Sequence, residues 1–202
     1  MKLTNKIFSN SRDYLFGWKT VETKHIYSNK YIEVYEDLME INGKKKIYTR
    51  GIRRDYSTIV PFISTDEILV IKSYRHFVNS IQIEAPSGYI EDDETPETAA
   101  IREMREETGY RPRRVVNIGT YTLDYSMFQQ VGNLFVAYDL VKEGYQELGL
   151  MELIEPTIMT VSEIRKLLQE SKILNSSSIV AFYRAIDFNQ KQKSQEQSST
   201  TL

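Results

Sequence analysis

Alternating and continuous apolar positions along the chain predict strands of two kinds. Tyr31–Tyr35 and Lys46–Thr49 alternate between apolar and polar side chains, and Asn42-Gly43 between them is a hairpin signal. Ser57–Ile63 and Ile68–Ser73 are instead mainly apolar and rich in β-branched residues, which is typical of buried strands. We therefore expect a small antiparallel appendage, followed by the centre of a mixed sheet.

A glutamate-rich segment after these strands carries the clearest helix signals in the chain. Thr95 suits the N-cap, Pro96 suits the first helical position, and Gly109 suits the C-terminal stop. These signals predict a helix from about Pro96 to Thr108. The further predicted elements are strands at Ile81–Glu84, Val115–Leu123 and Asn133–Val141, and helices at Ser162–Glu170, with Ser162 as the N-cap, and at Ser177–Ile186.

Strands and helices alternate along the chain, and this order predicts a layered α/β domain with a mixed sheet. We expect an N-terminal β-hairpin subdomain at residues 1–55, the α/β domain at residues 56–188, and a tail at residues 189–202. The tail is rich in Gln, Ser and Lys and has no apolar residue before Leu202, so we expect it to be disordered.

Composition narrows the classes of partner and of chemistry. The 202 residues carry a formal net charge of -2, so we expect no nucleic-acid or membrane-surface partner. The chain has no Cys and 2 His, so a metal site must rely mainly on oxygen ligands. Met1–Gly17 lacks an apolar run and no stretch approaches ~20 apolar residues, which predicts a cytoplasmic protein without a signal peptide.

Three carboxylates of the predicted helix share one face. Residues three and four positions apart lie on adjacent turns, so Glu103, Glu106 and Glu107 project together. Repulsion opposes this arrangement by about 0.2–0.5 kcal/mol per pair unless a cation lies between the carboxylates. Clustered carboxylates near Gly88 are ligands that Mg²⁺ or Mn²⁺ prefers. The alternative is a solvated charged helix in which Arg102 and Glu106 form an ordinary i, i+4 ion pair.

The spacing of these residues resembles the Nudix box, the motif of the Nudix hydrolase family. The family usually has an aliphatic residue at the last position of the box, where this chain has Tyr110. The resemblance implies a Nudix-type α/β/α sandwich with a mixed sheet, and metal-dependent cleavage of a pyrophosphate bond in a nucleoside diphosphate derivative. The matching positions are Gly88, Glu94, Arg102, Glu103, Met104, Glu106, Glu107 and Gly109.

The same resemblance implies a set of metal ligands. Glu103 and Glu107 are the expected principal ligands, with Glu106 binding directly or through water. The backbone carbonyl of Ser87 is expected to complete the shell, and Glu94 to make a further contact. The expected ion is Mg²⁺, with Mn²⁺ as the other candidate.

Catalytic roles follow from the resemblance as well. Arg102 is expected to orient a glutamate and to act in catalysis with Glu106, and Gly88 to let substrate approach the loop closely because it has no Cβ. A glutamate downstream of the box is the general base in several relatives. Glu147, Glu152 and Glu155 are the candidates, and we favour Glu152 because Glu152-Leu-Ile-Glu155 resembles the corresponding acidic stretch of the ADP-ribose pyrophosphatase subfamily. The alternative for each is an acidic surface residue.

Three features resemble that subfamily and indicate the substrate. They are the run from Glu84 to Gly88, the pair Tyr74-Arg75 and the N-terminal hairpin domain. By this resemblance Arg75 contacts phosphate or ribose, and Glu84 hydrogen-bonds the base or ribose; a surface ion pair is the alternative for Arg75. The expected reaction is hydrolysis of ADP-ribose, a nucleotide sugar, to AMP and ribose 5-phosphate by a homodimer.

The segment Leu123–Phe128 departs from the subfamily because it lacks the proline usual there. Tyr125 is a candidate substrate contact, and a tyrosine near this position is associated with diadenosine polyphosphate hydrolases. Hydrolysis of a dinucleoside polyphosphate or a GDP-sugar is therefore an alternative. A module that binds a nucleotide without cleaving it is another, although such modules typically lose box glutamates and this box is intact.

Overall fold

The computed structural model describes the backbone of residues 14–199, so the first 13 residues of the predicted N-terminal subdomain lie outside the described part. A short 3-10 turn spans Leu15–Gly17. The helices are α1 (Pro96–Thr108), α2 (Val161–Gln169) and α3 (Ser176–Ser199). The strands are β1 (Lys19–Ser28), β2 (Ile32–Ile41), β3 (Lys44–Arg53), β4 (Tyr56–Ser64), β5 (Glu67–Arg75), β6 (Ser80–Glu84), β7 (Ser87–Tyr89), β8 (Tyr110–Tyr121), β9 (Phe128–Gln129), β10 (Gly132–Lys142) and β11 (Ile154–Thr160).

The chain forms two compact units. The N-terminal unit combines Met1–Asp55 with Tyr121–Val131, and the second unit combines Tyr56–Thr120 with Gly132–Leu202. The segment 121–131 was not expected in the N-terminal unit, because the parallel pairing of β9 with β3 that joins it there is a long-range contact without a local signal.

A four-stranded sheet with the order β1-β2-β3-β9 makes up the N-terminal unit. Its centre is the predicted hairpin, in which β2 and β3 pair from Ile32↔Arg53 to Ile41↔Lys44. Asn42 and Gly43 both have positive φ, 51° and 74°, as a tight two-residue turn requires. The hairpin prediction is therefore confirmed.

The second unit is built on a seven-stranded mixed sheet. Its main path is β11-β5-β4-β10-β8, with β6 beside β5 and β7 beside β4. Strand β4 pairs parallel with β10 and antiparallel with β7, which brings the loop before α1 to the centre of the sheet. The predicted α/β fold with a mixed sheet is confirmed.

Helices α1 and α3 both pack against β4 and β10. Ile59 and Phe135 of the sheet form a buried cluster with Ala100 and Met104 of α1. Because side chains alternate along a strand, the buried Val60 lies on the opposite face of β4. Ala100 and Met104 therefore fix the glutamate helix to one face of the sheet.

Two predictions about the C-terminal third are wrong. Helix α2 is capped by Thr160 and not by Ser162, because Glu163 completes a capping box with Thr160. The tail predicted to be disordered from Asn189 instead continues α3 to Ser199. The buried amide of Asn189 donates to the Thr65 carbonyl at 3.1 Å, and such contacts stabilise a helix of Gln and Lys residues with good helix propensity.

Within the described residues 14–199, the helices are all too short or too polar to cross a membrane.

Candidate active site

Local capping determines where α1 begins and ends. Thr95 and Thr98 form a reciprocal capping box, and Pro96 occupies the first turn. Gly109 ends the helix in the left-handed conformation with a φ of 75°, where its N–H donates to the Arg105 carbonyl. The predicted bounds of this helix are confirmed, and they place its glutamates at its C-terminal half.

Arg102 holds three carboxylates of the site. Its guanidinium donates to both oxygens of Glu94, at 2.7 and 3.0 Å, to Glu103 at 2.7 Å and to Glu106 at 3.0 Å. A further bond at 3.0 Å reaches the backbone carbonyl of Tyr89. These bonds raise the pKa of Arg102, and the guanidinium lowers the pKa of Glu94. The expected role of Arg102 in orienting a glutamate agrees with this geometry.

Glu107 is the buried carboxylate of the site. Its side chain is 6% exposed and accepts a hydrogen bond from the Ser87 backbone N–H at 3.0 Å. Burial, together with the charge of Glu103, raises the pKa of Glu107 well above its ordinary value. Burial also raises the pKa of Glu103. Two carboxylates that are costly to ionise therefore lie close together, and a cation beside them would relieve that cost.

Gly88 lies directly against Glu103. A Cβ at this position would come within 1.9 Å of Oε1 and 2.0 Å of Cδ of Glu103, well below the 3.0 Å limit for real contacts. The absence of a side chain at Gly88 therefore leaves the room that the Glu103 carboxylate occupies. Ser87 lies beside it on β7 and pairs with Thr58 of β4. Its backbone carbonyl as a metal ligand stays a prediction.

The donor set fits a hard divalent cation in part. Across residues 14–199, no group of three or more His, Asp or Glu side chains is arranged to hold a metal by itself. The physical reason is Arg102, which takes up Glu103 and Glu106. Mg²⁺ normally draws much of its shell from water and substrate phosphate, so a few carboxylates can be enough; Glu103 and Glu107 as its principal ligands stay a prediction.

Arg75 and Glu84 form a two-pronged ion pair near these carboxylates. The Arg75 Nε donates to Glu84 at 2.9 Å, and Glu84 is 1% exposed. Glu107 and Glu152 both act electrostatically to raise the pKa of Arg75, which places this cation in the field of the site. Because its carboxylate is buried and engaged, Glu84 does not fit the expected direct contact with a base or ribose. The structure makes it the partner that orients Arg75.

The three candidate bases have different environments. Glu147 forms a two-pronged ion pair with Arg105, which lowers the pKa of Glu147, and Glu155 pairs with Lys72 at 3.3 Å. Glu152 accepts a hydrogen bond from the Gly149 backbone N–H at 2.7 Å. Burial is the main cause of the raised pKa values of Glu103 and Glu107, and the charge of Glu152 adds to the rise at both carboxylates.

Tyr125 belongs to the N-terminal unit, and its contact with substrate stays a prediction. Its side chain is 81% exposed and lines a cavity of about 400 Å³ within that unit. Trp18 and Tyr48 contact each other edge-on in the same cavity, with ring centroids 5.6 Å apart. No local pattern in the sequence predicts that the segments carrying these aromatic residues come together.

Gln146 was not predicted to belong to the site. Its side-chain amide donates to the backbone carbonyl of Glu107 at 2.6 Å and to that of Ile154 at 3.1 Å. A single glutamine in a loop carries no spacing or periodicity from which such contacts could be foreseen.

Comparison with known proteins agrees with this geometry. The model of the NUDIX domain matches residues 53–177. The ADP-ribose pyrophosphatase of Bacillus subtilis (strain 168) is 29% identical over 81% of this chain and 89% of its own length. The methanol dehydrogenase activator of Bacillus methanolicus is 28% identical over 83% of this chain and 91% of its own length.

A solved structure has the same fold. The crystal structure of an ADP compounds hydrolase superposes with a TM-score of 0.77 at 21% sequence identity, and it covers 87% of this chain and 95% of that one. The residues that build the site lie inside the part of the chain matched by the domain model. The chain therefore belongs to the Nudix family and is a Nudix pyrophosphohydrolase, an enzyme that acts on nucleoside diphosphate derivatives.

Proposed function

We propose that this enzyme hydrolyses ADP-ribose to AMP and ribose 5-phosphate and depends on Mg²⁺. The observation that carries the proposal is the pair formed by the partly buried carboxylate of Glu103, which lies against Gly88, and the buried carboxylate of Glu107. The choice of substrate is supported by relatives such as the ADP-ribose pyrophosphatase, which matches most of this chain.

The side chains divide the work as follows. Glu103 and Glu107 would hold the ion, with Glu106 binding directly or through water; the Ser87 carbonyl would complete the shell, and Glu94 would make a further contact. Bound Mg²⁺ supplies the positive charge that neutralises the diphosphate and polarises water. Arg102 fixes the glutamates in place, because each of its bonds restricts a flexible carboxylate.

Arg75 and Glu152 act on the substrate and on water. The guanidinium of Arg75, oriented by Glu84, binds a phosphate oxygen of the substrate. Glu152 accepts a proton from the attacking water as the water oxygen bonds to one phosphorus. The bond from that phosphorus to the bridging oxygen breaks, and the second phosphate leaves with that oxygen. One water is consumed, and two phosphate monoesters are produced.

The test is a turnover panel with Mg²⁺ present and absent, using ADP-ribose, a GDP-sugar, diadenosine polyphosphates and nucleoside triphosphates. Glu107→Gln is compared with Glu97→Gln, the same change at an exposed position of the same helix. Metal-dependent release of AMP and ribose 5-phosphate, lost in E107Q and kept in E97Q, is the expected result. Faster turnover of another diphosphate would move the substrate assignment to that compound, and binding without turnover would indicate a nucleotide sensor.

We also propose that the enzyme is a cytoplasmic homodimer that associates through the N-terminal sheet. Exposed apolar side chains on β1 and β3 support this, among them Ile26, Tyr27 and Ile47. Light scattering after size-exclusion chromatography measures the mass in solution. A monomer at micromolar concentration would contradict the proposed dimer without bearing on the hydrolysis.

A further inference from the structure

The segment that carries Glu152 covers the C-terminal end of α1. The last four carbonyls of a helix have no partner within the helix. Two of them are taken by consecutive residues of this segment: the Glu147 N–H donates to the Glu106 carbonyl at 2.9 Å, and the Gln146 side chain donates to the Glu107 carbonyl at 2.6 Å. We call residues 146–153 the base loop, since it begins at this cap and contains Glu152.

Gln146, the first residue of the base loop, also contacts the strand that follows the loop. The same side-chain nitrogen that bonds to Glu107 also donates to the carbonyl of Ile154, the first residue of β11, at 3.1 Å. One amide therefore joins the end of the metal-binding helix, the start of the loop and the strand that follows it. A link across the base of a flexible loop restricts the conformations of the residues between its ends.

At the far end of the loop the Leu153 carbonyl accepts a hydrogen bond from the Tyr74 N–H of β5 at 3.1 Å, whereas the tip of the loop makes few contacts. Leu150 and Met151 at its tip are 99% and 90% exposed, so they add almost no packing. Gly149 and Glu152 close a tight turn in which the Glu152 N–H donates to the Gly149 carbonyl at 3.0 Å. This turn fixes the local shape of the tip but leaves its position relative to α1 to the contacts at the ends of the loop.

We propose that Gln146 is a positioning residue: by tying the base loop to α1 and β11, it keeps Glu152 at a fixed position relative to Glu103 and Glu107. The proposal rests on the proposed hydrolysis, in which Glu152 is the base. The clamp formed by Gln146 acts between backbone carbonyls, so it places the base without contacting substrate.

A second tether lies beside this clamp and provides the control. The ion pair of Arg105 with Glu147 lies at the surface, and surface pairs usually contribute little to stability. Arg105→Gln removes the charge of this pair and keeps the backbone bond from Glu147 to Glu106. Gln146→Leu removes both bonds of the clamp, and Gln146→Glu keeps its shape while replacing the donor with an acceptor.

Steady-state kinetics test the positional role. Misplacement of a reacting group by about 1 Å costs on the order of 10²-fold in rate. We expect Q146L and Q146E to lower kcat by about 10–10²-fold with KM for ADP-ribose nearly unchanged, and R105Q to stay within about twofold of wild type. Equal losses in all three variants, or a change in KM alone, would overturn the proposal.

A double-mutant cycle separates positioning from a general structural effect. If Gln146 acts through Glu152, Q146L should cause no further loss when added to Glu152→Gln, because the base is already absent. A further loss of about tenfold or more in the double variant would show that Gln146 supports the fold and not the base, and the proposal would fall.

Amide hydrogen exchange of the substrate-free protein tests the clamp independently of activity. In Q146L the amides of residues 147–152 should exchange at least about tenfold faster, while those of α3 and β4 keep their wild-type rates. Unchanged protection of the loop would overturn the clamp. If wild-type protein cleaves no diphosphate, the proposed hydrolysis fails by that result alone, and the exchange rates still decide whether Gln146 anchors the loop.

Discussion

Replacing Gly88 with alanine should lower the rate of the reaction while leaving the stability of the fold nearly unchanged. The added methyl carbon would lie 1.9 Å from Oε1, 2.0 Å from Cδ and 2.5 Å from Oε2 of Glu103. The backbone of Gly88 does not have positive φ, so alanine adopts its conformation without strain. The carboxylate, at the end of a flexible side chain, must therefore move away.

The size of the effect follows from these distances. Contacts of a real Cβ essentially never fall below 3.0 Å, so the Glu103 carboxylate must retreat by about 1 Å or more. A displacement of that size costs on the order of 10²-fold in rate, or about 2.7 kcal/mol of transition-state stabilisation. Arg102 loses one bond but keeps those to Glu94, Glu106 and the Tyr89 carbonyl, so the free energy of unfolding should change by less than about 1 kcal/mol.

The assay measures kcat for ADP-ribose over a Mg²⁺ titration, together with the thermal midpoint of unfolding. Gly144→Ala is the matched control, because Gly144 has open space around its ideal Cβ and a backbone free of positive φ. We expect G88A to lose about 10²-fold in kcat and to need more Mg²⁺ for half-maximal rate. Wild-type kcat and Mg²⁺ dependence in folded G88A would refute the placement of Glu103 at the reaction centre.

Three further perturbations test other parts of the site. Glu107→Gln should lower kcat at least about 10²-fold. Burial and the charge of Glu103 raise the pKa of Glu107 in the folded state, so the metal-free wild type should lose stability as the pH rises from the unfolded-state pKa through that raised value. Urea unfolding at several pH values should show a weaker dependence of stability on pH in E107Q. Glu84→Gln should reduce kcat/KM by about tenfold, mainly through KM, since the Arg75 guanidinium loses its charged partner; unaltered steady-state kinetics would contradict that role. Truncation after Asn189 should leave kcat unchanged and lower the thermal midpoint by only a few degrees, because the contacts removed are largely exposed. A loss of turnover would contradict the assignment of the catalytic residues to positions before Asn189.

The elements that could be predicted from the sequence are those with local signals. The ends of α1 follow from Thr95, Pro96 and Gly109, whose capping preferences act over a few residues. The hairpin of β2 and β3 follows from Asn42-Gly43 in the same way. The glutamates of the box could be named because their spacing on a helix is a local property as well.

Long-range contacts account for what the sequence did not reveal. Strand β11 contains Pro156, which argues against a strand in the middle of a sheet but is accepted at the edge, where β11 pairs with β5 alone. The i, i+4 spacing predicts only one partner of Arg102, namely Glu106. Its bonds to Glu94 and to the Tyr89 carbonyl depend on the path of the loop before α1. Burial of Glu84 against Arg75 likewise depends on the pairing of β5 with β6.

The contacts of Arg102 bear on how the acidic cluster assembles when the chain folds. A cluster of acidic side chains would normally resist being brought together until an ion arrived to neutralise it. Here the chain carries its own counter-charge, since one guanidinium bonds to three of those side chains and to a backbone carbonyl. The guanidinium of Arg102 therefore lets the acidic cluster assemble during folding without a bound ion, and the Mg²⁺ of the proposed reaction would enter a frame that is already in place.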